Sequence, residues 1–222
     1  MKNAITLRDL LPGYDIRAGM VRFNVVPTGP GAYHRATLGD IVIAAGPGEL
    51  ATTLSVPNLP VRDSENIEAV QWGKLLVNFN NALNALSGLP IQQQLTDRNW
   101  RRLMADQMTD ALAVLKAAQI PVRSTMPLSA WMTLHILRLP TPLFIRIAAQ
   151  MLTIDHTART SMAYDSAEGR PTEIESLQGE IIALGRKHRR PTPLCSRVAE
   201  RTAEASAPGE TQPNLTPAQI RP

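Results

Sequence analysis

Lys74, Asn78 and Asn81 lie within one run, Trp72-Gly73-Lys74-Leu75-Leu76-Val77-Asn78-Phe79-Asn80-Asn81. On a helix turning about 100° per residue, Asn78 falls about 40° to one side of Lys74 and Asn81 about 20° to the other. An ammonium, which only donates, then shares a narrow stripe with two amides that both donate and accept. Val70, Leu76, Val77, Leu83 and Leu86 leave that helix little other free surface. Polar groups on so apolar a helix are either buried against partners or line a cleft. A solvated stripe is the plain alternative, since Lys and Asn are common on exposed faces. Asn is a poor helix former, however, and Asn78, Asn80 and Asn81 together are an odd choice for a face that is merely wetted.

Other reactive groups offer less. His34, His135, His156 and His188 are scattered without ligand spacing, so no metal site is expected. Cys195 is the single cysteine, which excludes a disulfide framework and favours a structural thiol in a reducing cytoplasm. A net charge of +4 invites a nucleic-acid partner. The densest cations, Arg186 to Arg190, instead follow an amphipathic helix, where they complement the negative end of its dipole, and no aromatic lies among them to stack on a base. Neither nucleic acid nor membrane is an expected partner: the most apolar stretch, Leu143 to Leu152, is interrupted by Arg146 and Gln150 and is too short to span a bilayer.

The elements that must hold the stripe follow from periodicity and punctuation. Two β-rich runs, 18–29 and 32–46, flank Thr28-Gly29-Pro30-Gly31 and predict two antiparallel strands, preceded by a short helix from Ile5 to Leu11. From about Asp63 the chain reads as helical. One helix spans Asn66 to Leu86, closed by Gly88 and Pro90; a second runs from Asp97 to Gln119, capped by Thr96 and stopped by Pro121. Shorter apolar helices are expected near Leu128–Leu139 and Leu143–Ile154. A last one starts at Thr172, where Thr172 and Glu175 have capping-box spacing. The segment after Ala205 has little to bury and is expected to be a disordered tail.

With the residues in view, a resemblance can be stated. Trp72-Gly73-Lys74-Leu75-Leu76-Val77-Asn78, followed by Asn81-Ala82-Leu83-Asn84-Ala85-Leu86, resembles the central helix of the ketopantoate reductase (2-dehydropantoate 2-reductase) family. A second match is Ser161-Met162, then Asp165, then Gly169-Arg170-Pro171-Thr172-Glu173-Ile174-Glu175, then Gly179. Ala118-Gln119-Ile120-Pro121 falls where the family has an Ala-Gly-Ile type of helix end. The resemblance covers roughly Leu11 to Val198. It implies NADPH-dependent reduction of 2-dehydropantoate to pantoate, in the pathway to pantothenate and coenzyme A. It implies Lys74 as the general acid that protonates the nascent alkoxide, and Asn78, Asn81 and Ser161 as substrate-binding groups. Glu173 would be an acidic partner binding a hydroxyl of substrate or cofactor. It further implies that Lys74, Asn78, Ser161 and Glu173 converge on one cleft.

The implied fold is mainly α with a small β-rich N-terminal remnant. Residues 1–62 would be the tail end of a Rossmann-type NADP-binding domain, 63–205 an all-helical substrate-binding domain of the 6-phosphogluconate-dehydrogenase-like type, and 206–222 the tail. Three departures stand out. No Gly-x-Gly-x-x-Gly occurs, although a dinucleotide fold needs such a turn to bring backbone amides to the pyrophosphate. Asn81 follows Asn78 by three residues where the family typically has four, a position held here by Ala82. Arg189 replaces the Gly that usually follows the helix-ending His, which predicts a different C-cap. Two readings stay open: an oxidoreductase whose nucleotide-binding part is supplied elsewhere, for instance by a separately encoded N-terminal half, or a non-enzymatic helical module for binding or dimerisation.

Overall fold

The computed structural model describes residues 2–23, 25–35, 39–125, 128–152, 156–206 and 213–222. The chain is mainly helical, with its strands confined to the first of two compact units, 1–73 and 74–222. The division falls inside a helix.

The first unit opens with α1 (Lys2–Leu10). Strands β1 (Gly19–Val21), β2 (Val25–Gly29), β3 (Ala32–Arg35) and β4 (Ile41–Ala44) follow. β2 pairs antiparallel with β3 across the Gly29 turn, and β1 pairs antiparallel with β4. The two expected strands are thus each broken into two, with the expected antiparallel sense.

Beyond β4 come α2 (Leu50–Leu54) and β5 (Val61–Ser64), the latter parallel to β4, so that the sheet order is β1-β4-β5. β5 has no period-2 pattern; its pairing, and not its composition, makes it a strand. In β4, Ile41 and Ile43 point one way and Val42 the other, as the pleat requires. Ile43 packs with Ala51 and Val61, and Val42 with Met20 and Val70, which explains an uninterrupted apolar run. Asp40, nearly buried, pairs with Arg22 at 3.2 Å and Arg62 at 2.9 Å, tying the ends of β1 and β5 to β4.

α3 (Ile67–Ser87) is the expected 21-residue helix. Asn66 Oδ1 accepts from the Ala69 N–H at 2.9 Å and starts it. Its first turns belong to the first unit, through Ile67 and Val70. Gly88 ends it at φ +66°.

Among the described residues the regular elements of the second unit are all helices. The expected Asp97–Gln119 helix is preceded by a separate one, α4 (Ile91–Thr96), which was not among the expected elements. Thr96 belongs to α4, its hydroxyl donating to the Gln93 carbonyl, and the N-cap of α5 (Arg98–Ala117) is Asp97, which accepts from the Asn99 N–H at 2.7 Å. α5 is buried on several sides: Trp100, Leu103, Met104, Met108, Ala111, Leu112 and Leu115 are covered as expected, but so are Arg101, Gln107 and Val114.

The fully buried Arg101 guanidinium donates to the carbonyls of Leu95, Thr96, Leu137 and Leu139, which end α4 and the next helix, α6 (Ala130–Arg138). It lies 4.1 Å from the Phe144 ring of α7 (Thr141–Ile147). Carbonyls at a helix C-terminus carry partial negative charge, so one cation holds several helix ends at once.

α8 (Ser161–Ala167) is followed by a π-helical turn, Glu175–Gly179, that runs into α9 (Glu180–Lys187). Ile174 flanks that turn without a side-chain cap bond, so the Thr172 capping box is not what starts this helix. α9 ends in a Schellman motif: Arg190 N–H bonds to Gly185 O, Arg189 N–H to Arg186 O, and Arg189 sits at φ +52°. The cap is therefore the left-handed one that Gly would form, carried by Arg, and not the different cap expected. α5 does the same with Gln119 at φ +57°.

α10 (Pro193–Ala205) closes the bundle, its Leu194 N–H bonded to Asp110 of α5 at 3.0 Å. The expectation of a disordered tail over 206–222 fails for 213–222. α11 (Pro217–Ile220) packs on α5 and α10 with Ile220 wholly buried, one apolar anchor sufficing where overall composition suggested none.

Candidate functional site

α3 is unbroken from Ile67 to Ser87, so the spacing of Lys74, Asn78 and Asn81 does place them on one stripe. All three are half-buried, while Leu75, Leu76, Phe79, Ala82 and Leu83 beside them are buried. Among the described residues the side-chain amides of Asn78 and Asn81 make no hydrogen bond. Half-buried amides without internal partners are groups whose hydrogen-bonding capacity is open to a ligand.

The other asparagines behave differently. Asn80 donates to Gln94 Oε1 at 3.4 Å. Asn84, wholly buried, donates to the Leu89 carbonyl and to Gln94 Oε1, both at 2.9 Å, and accepts from the Thr160 N–H at 3.0 Å. The Thr160 hydroxyl donates to the Asn81 carbonyl at 3.2 Å. Asn84 and Thr160 thus fasten the start of α8 to the last turns of α3, and this is what sequence reasoning missed. Asn84 lies inside the quoted run Asn81–Leu86, but nothing local shows that its partner is 76 positions away.

It is Thr160, the residue before Ser161, that the structure bonds to the Asn81 carbonyl. Ser161 is exposed, at the first position of α8. Glu173 is also exposed, just ahead of the π-helical turn, and its carboxylate makes no hydrogen bond with Asn78, Asn81 or Ser161. The second motif has structural work as well: Gly169 takes φ +65° at the end of α8, Arg170 N–H bonds to Asp165 O, and the Arg170 guanidinium pairs with Asp165 at 2.7 Å. Cys195 is wholly buried, and burial pushes its thiol up, with Asp110 nearby adding to the effect. It is a packing residue, as expected.

A dinucleotide would need an open glycine turn ahead of a helix. The nearest feature is Gly46-Pro47-Gly48 between β4 and α2. A Cβ at Gly46 would meet the Arg17 guanidinium at 2.8 Å, and α2 is only five residues long. Arg17 bonds to the Pro47 carbonyl and to Asp15, so this loop is already filled. As it stands, this loop does not fit a pyrophosphate.

The fold is shared by dehydrogenases and reductases of known structure. The ketopantoate reductase from Ralstonia eutropha JMP134 is 26% identical with a TM-score of 0.74, matching 92% of this chain and 63% of its own. D-Mandelate dehydrogenase, solved with NADH and anilino(oxo)acetate, shares the fold at 20% identity and a TM-score of 0.71.

Residues 66–205 match the family described as ketopantoate reductase PanE/ApbA C terminal, and the chain belongs to that family. Among curated relatives, the 2-dehydropantoate 2-reductase of Halobacterium salinarum is 22% identical over 206 residues, 89% of this chain and 62% of that protein. The Mesorhizobium japonicum enzyme is 29% identical over 140 residues, 63% of this chain and 36% of that protein. The chain spans about three fifths of the first relative's length. Among the described residues no helix is long and apolar enough to cross a membrane.

Proposed function

We propose that this chain supplies the substrate-binding and proton-donating part of a cytoplasmic, NADPH-dependent reductase of 2-dehydropantoate, or of a closely related 2-keto acid. The observation that carries it is the half-buried stripe of Lys74, Asn78 and Asn81, with two amides that make no hydrogen bond among the described residues, on the long helix of a chain in this family. Reduced nicotinamide supplies hydride in such reactions, and in this reading its nucleotide is held by another stretch of polypeptide, because the Gly46-Pro47-Gly48 loop is filled by Arg17.

The residues in hand have definable tasks. A ketone that is being reduced gathers negative charge on oxygen. The Lys74 ammonium stabilises that charge and then gives up a proton from Nζ to form the alcohol. Asn78 and Asn81 hold the keto acid's oxygens in register with Lys74, two turns of rigid helix fixing their separation. Ser161, which follows Thr160 in the chain, is assigned a further hydroxyl contact to the substrate; the Thr160 hydroxyl bond to the Asn81 carbonyl supports this. Glu173 is assigned a hydroxyl of substrate or cofactor.

The test is 2-dehydropantoate-dependent NADPH oxidation by the 222 residues alone, and by the same residues joined to the nucleotide-binding segment of a homologous reductase. The joined protein should turn over, and Lys74→Ala should lower its kcat by roughly 10²–10⁴-fold, the usual worth of a general acid. Asn78→Ala should act mainly on KM. Turnover indifferent to Lys74→Ala would remove Lys74 from the role. Turnover by the unjoined chain would show that it binds the cofactor after all. A joined protein that folds but never turns over would favour a helical binding or dimerisation module.

A further inference from the structure

Residues 213–222 lie beyond the family match, which ends at 205, yet they are seated on the bundle at four places. Asn214 sits against Gly88, its side-chain oxygen occupying the space a Cβ there would take. The Leu215 N–H bonds to the Leu86 carbonyl at 2.8 Å, satisfying one of the open carbonyls at the end of α3. Ile220 is wholly buried, although its neighbours Gln219 and Arg221 are exposed. Arg221 reaches Asp106 of α5 at 2.9 Å, the same carboxylate that holds Arg138 at 2.8 Å.

The segment also carries its own local order. Pro217 opens α11, and Gln219 Oε1 accepts from the Thr216 N–H at 2.8 Å, so one turn is shaped before it docks. Residues 207–212, Ala-Pro-Gly-Glu-Thr-Gln, join it to α10 and have nothing apolar beyond one alanine to bury.

We propose that the surface formed by α5, α10 and the end of α3 is a peptide-binding groove, and that its occupant is the chain's own segment 213–222, acting as a strap that opens and closes independently of the bundle. Recognition is by an apolar side chain at position 220, with Arg221 on the Asp106 carboxylate and the Leu215 amide on the Leu86 carbonyl as its polar fixings. An exposed ion pair adds little affinity, so Ile220 is the anchor and Arg221 sets orientation.

Two measurements on the full chain test this. In the first, a protease site replaces residues 207–212 and is cut after folding; a fluorescent peptide of residues 213–222 is then added. It should displace the native strap and bind one to one. Peptides carrying Ile220→Asp should bind at least ten-fold more weakly, and those with Arg221→Glu measurably more weakly. No binding, or equal binding by the Ile220→Asp peptide, overturns the proposal.

In the second, hydrogen exchange of the uncut protein should show the Leu215 amide opening far more often than amides within α5, and Ile220→Asp should abolish its protection while α5 is unchanged. If Leu215 exchanges only when the whole bundle unfolds, the strap is not separable. A swapped dimer on gel filtration would show that the groove takes a second copy's segment, which contradicts the intrachain assignment.

Discussion

Arg101 and Asn84 are both polar, both wholly buried and both bonded to groups far away in sequence, yet they serve different regions. Arg101 gathers the ends of α4 and α6 and touches no residue of the polar stripe. Asn84 lies on the same helix as Lys74 and fastens α8, and with it Ser161, to the end of that stripe. The difference teaches that buried polarity does not by itself mark a functional site. What distinguishes the stripe is the reverse property: Asn78 and Asn81 are half-covered, and among the described residues their amides make no hydrogen bond.

The sharpest way to break this comparison is to remove each centre in turn. Arg101→Ala takes the donor from four carbonyls, one buried and three part-buried, and should cost roughly 3–5 kcal/mol, read as a fall in the urea midpoint. Arg101→Lys should recover only part of this, because an ammonium cannot span the same fork of acceptors. A loss below about 1 kcal/mol for Arg101→Ala would show that water satisfies those carbonyls instead.

Asn84→Ala comes next, at about 2–3 kcal/mol, for one amide bonded at both ends. Unlike the Arg101 variant, it should speed hydrogen exchange at the Thr160 amide more than at α6. If both variants loosen α6 and Thr160 equally, the two centres are one cooperative unit and the contrast disappears.

Asp110, on α5 with Arg101, is a milder case. Desolvation raises its carboxyl above the usual carboxylate range, against the opposing bonds from the Leu194 and Cys195 N–H groups. The native state therefore binds that proton more tightly than the unfolded chain, and Asp110 contributes less to stability as pH rises from the unfolded carboxylate value through its raised native one. Asp110→Asn keeps an acceptor for Leu194 N–H without the charge. Urea midpoints should show its advantage over the native protein growing between pH 4 and pH 7; an advantage that shrinks with pH would mean the N–H bonds outweigh desolvation.

The smallest effect belongs to neither centre. Arg189→Gly relieves a side chain held at φ +52° and should stabilise by about 0.5–1 kcal/mol, with no change at Thr160 or α6.

The long helices were legible in the sequence because their punctuation is local: Asn66 and Gly88 bound α3, and Pro121 follows α5. The spacing of Lys74, Asn78 and Asn81 was legible for the same reason, since a helix turns by a nearly constant angle per residue. The motif around Ser161 and Glu173 was readable as a resemblance, and part of its logic, the Asp165–Arg170 pair under Gly169, is local too. Only the tertiary structure decided the rest. β5 is a strand because β4 lies parallel beside it. Thr96 lost the cap of α5 to Asp97 because it was already closing α4. Asn84 turned from a member of the polar run into a fastener because Thr160 reached it, and Ile220 turned a polar tail into a docked one. In each case the deciding partner lies outside the local window, and a hydrogen bond or a buried side chain takes its free energy from that partner and not from its neighbours in sequence.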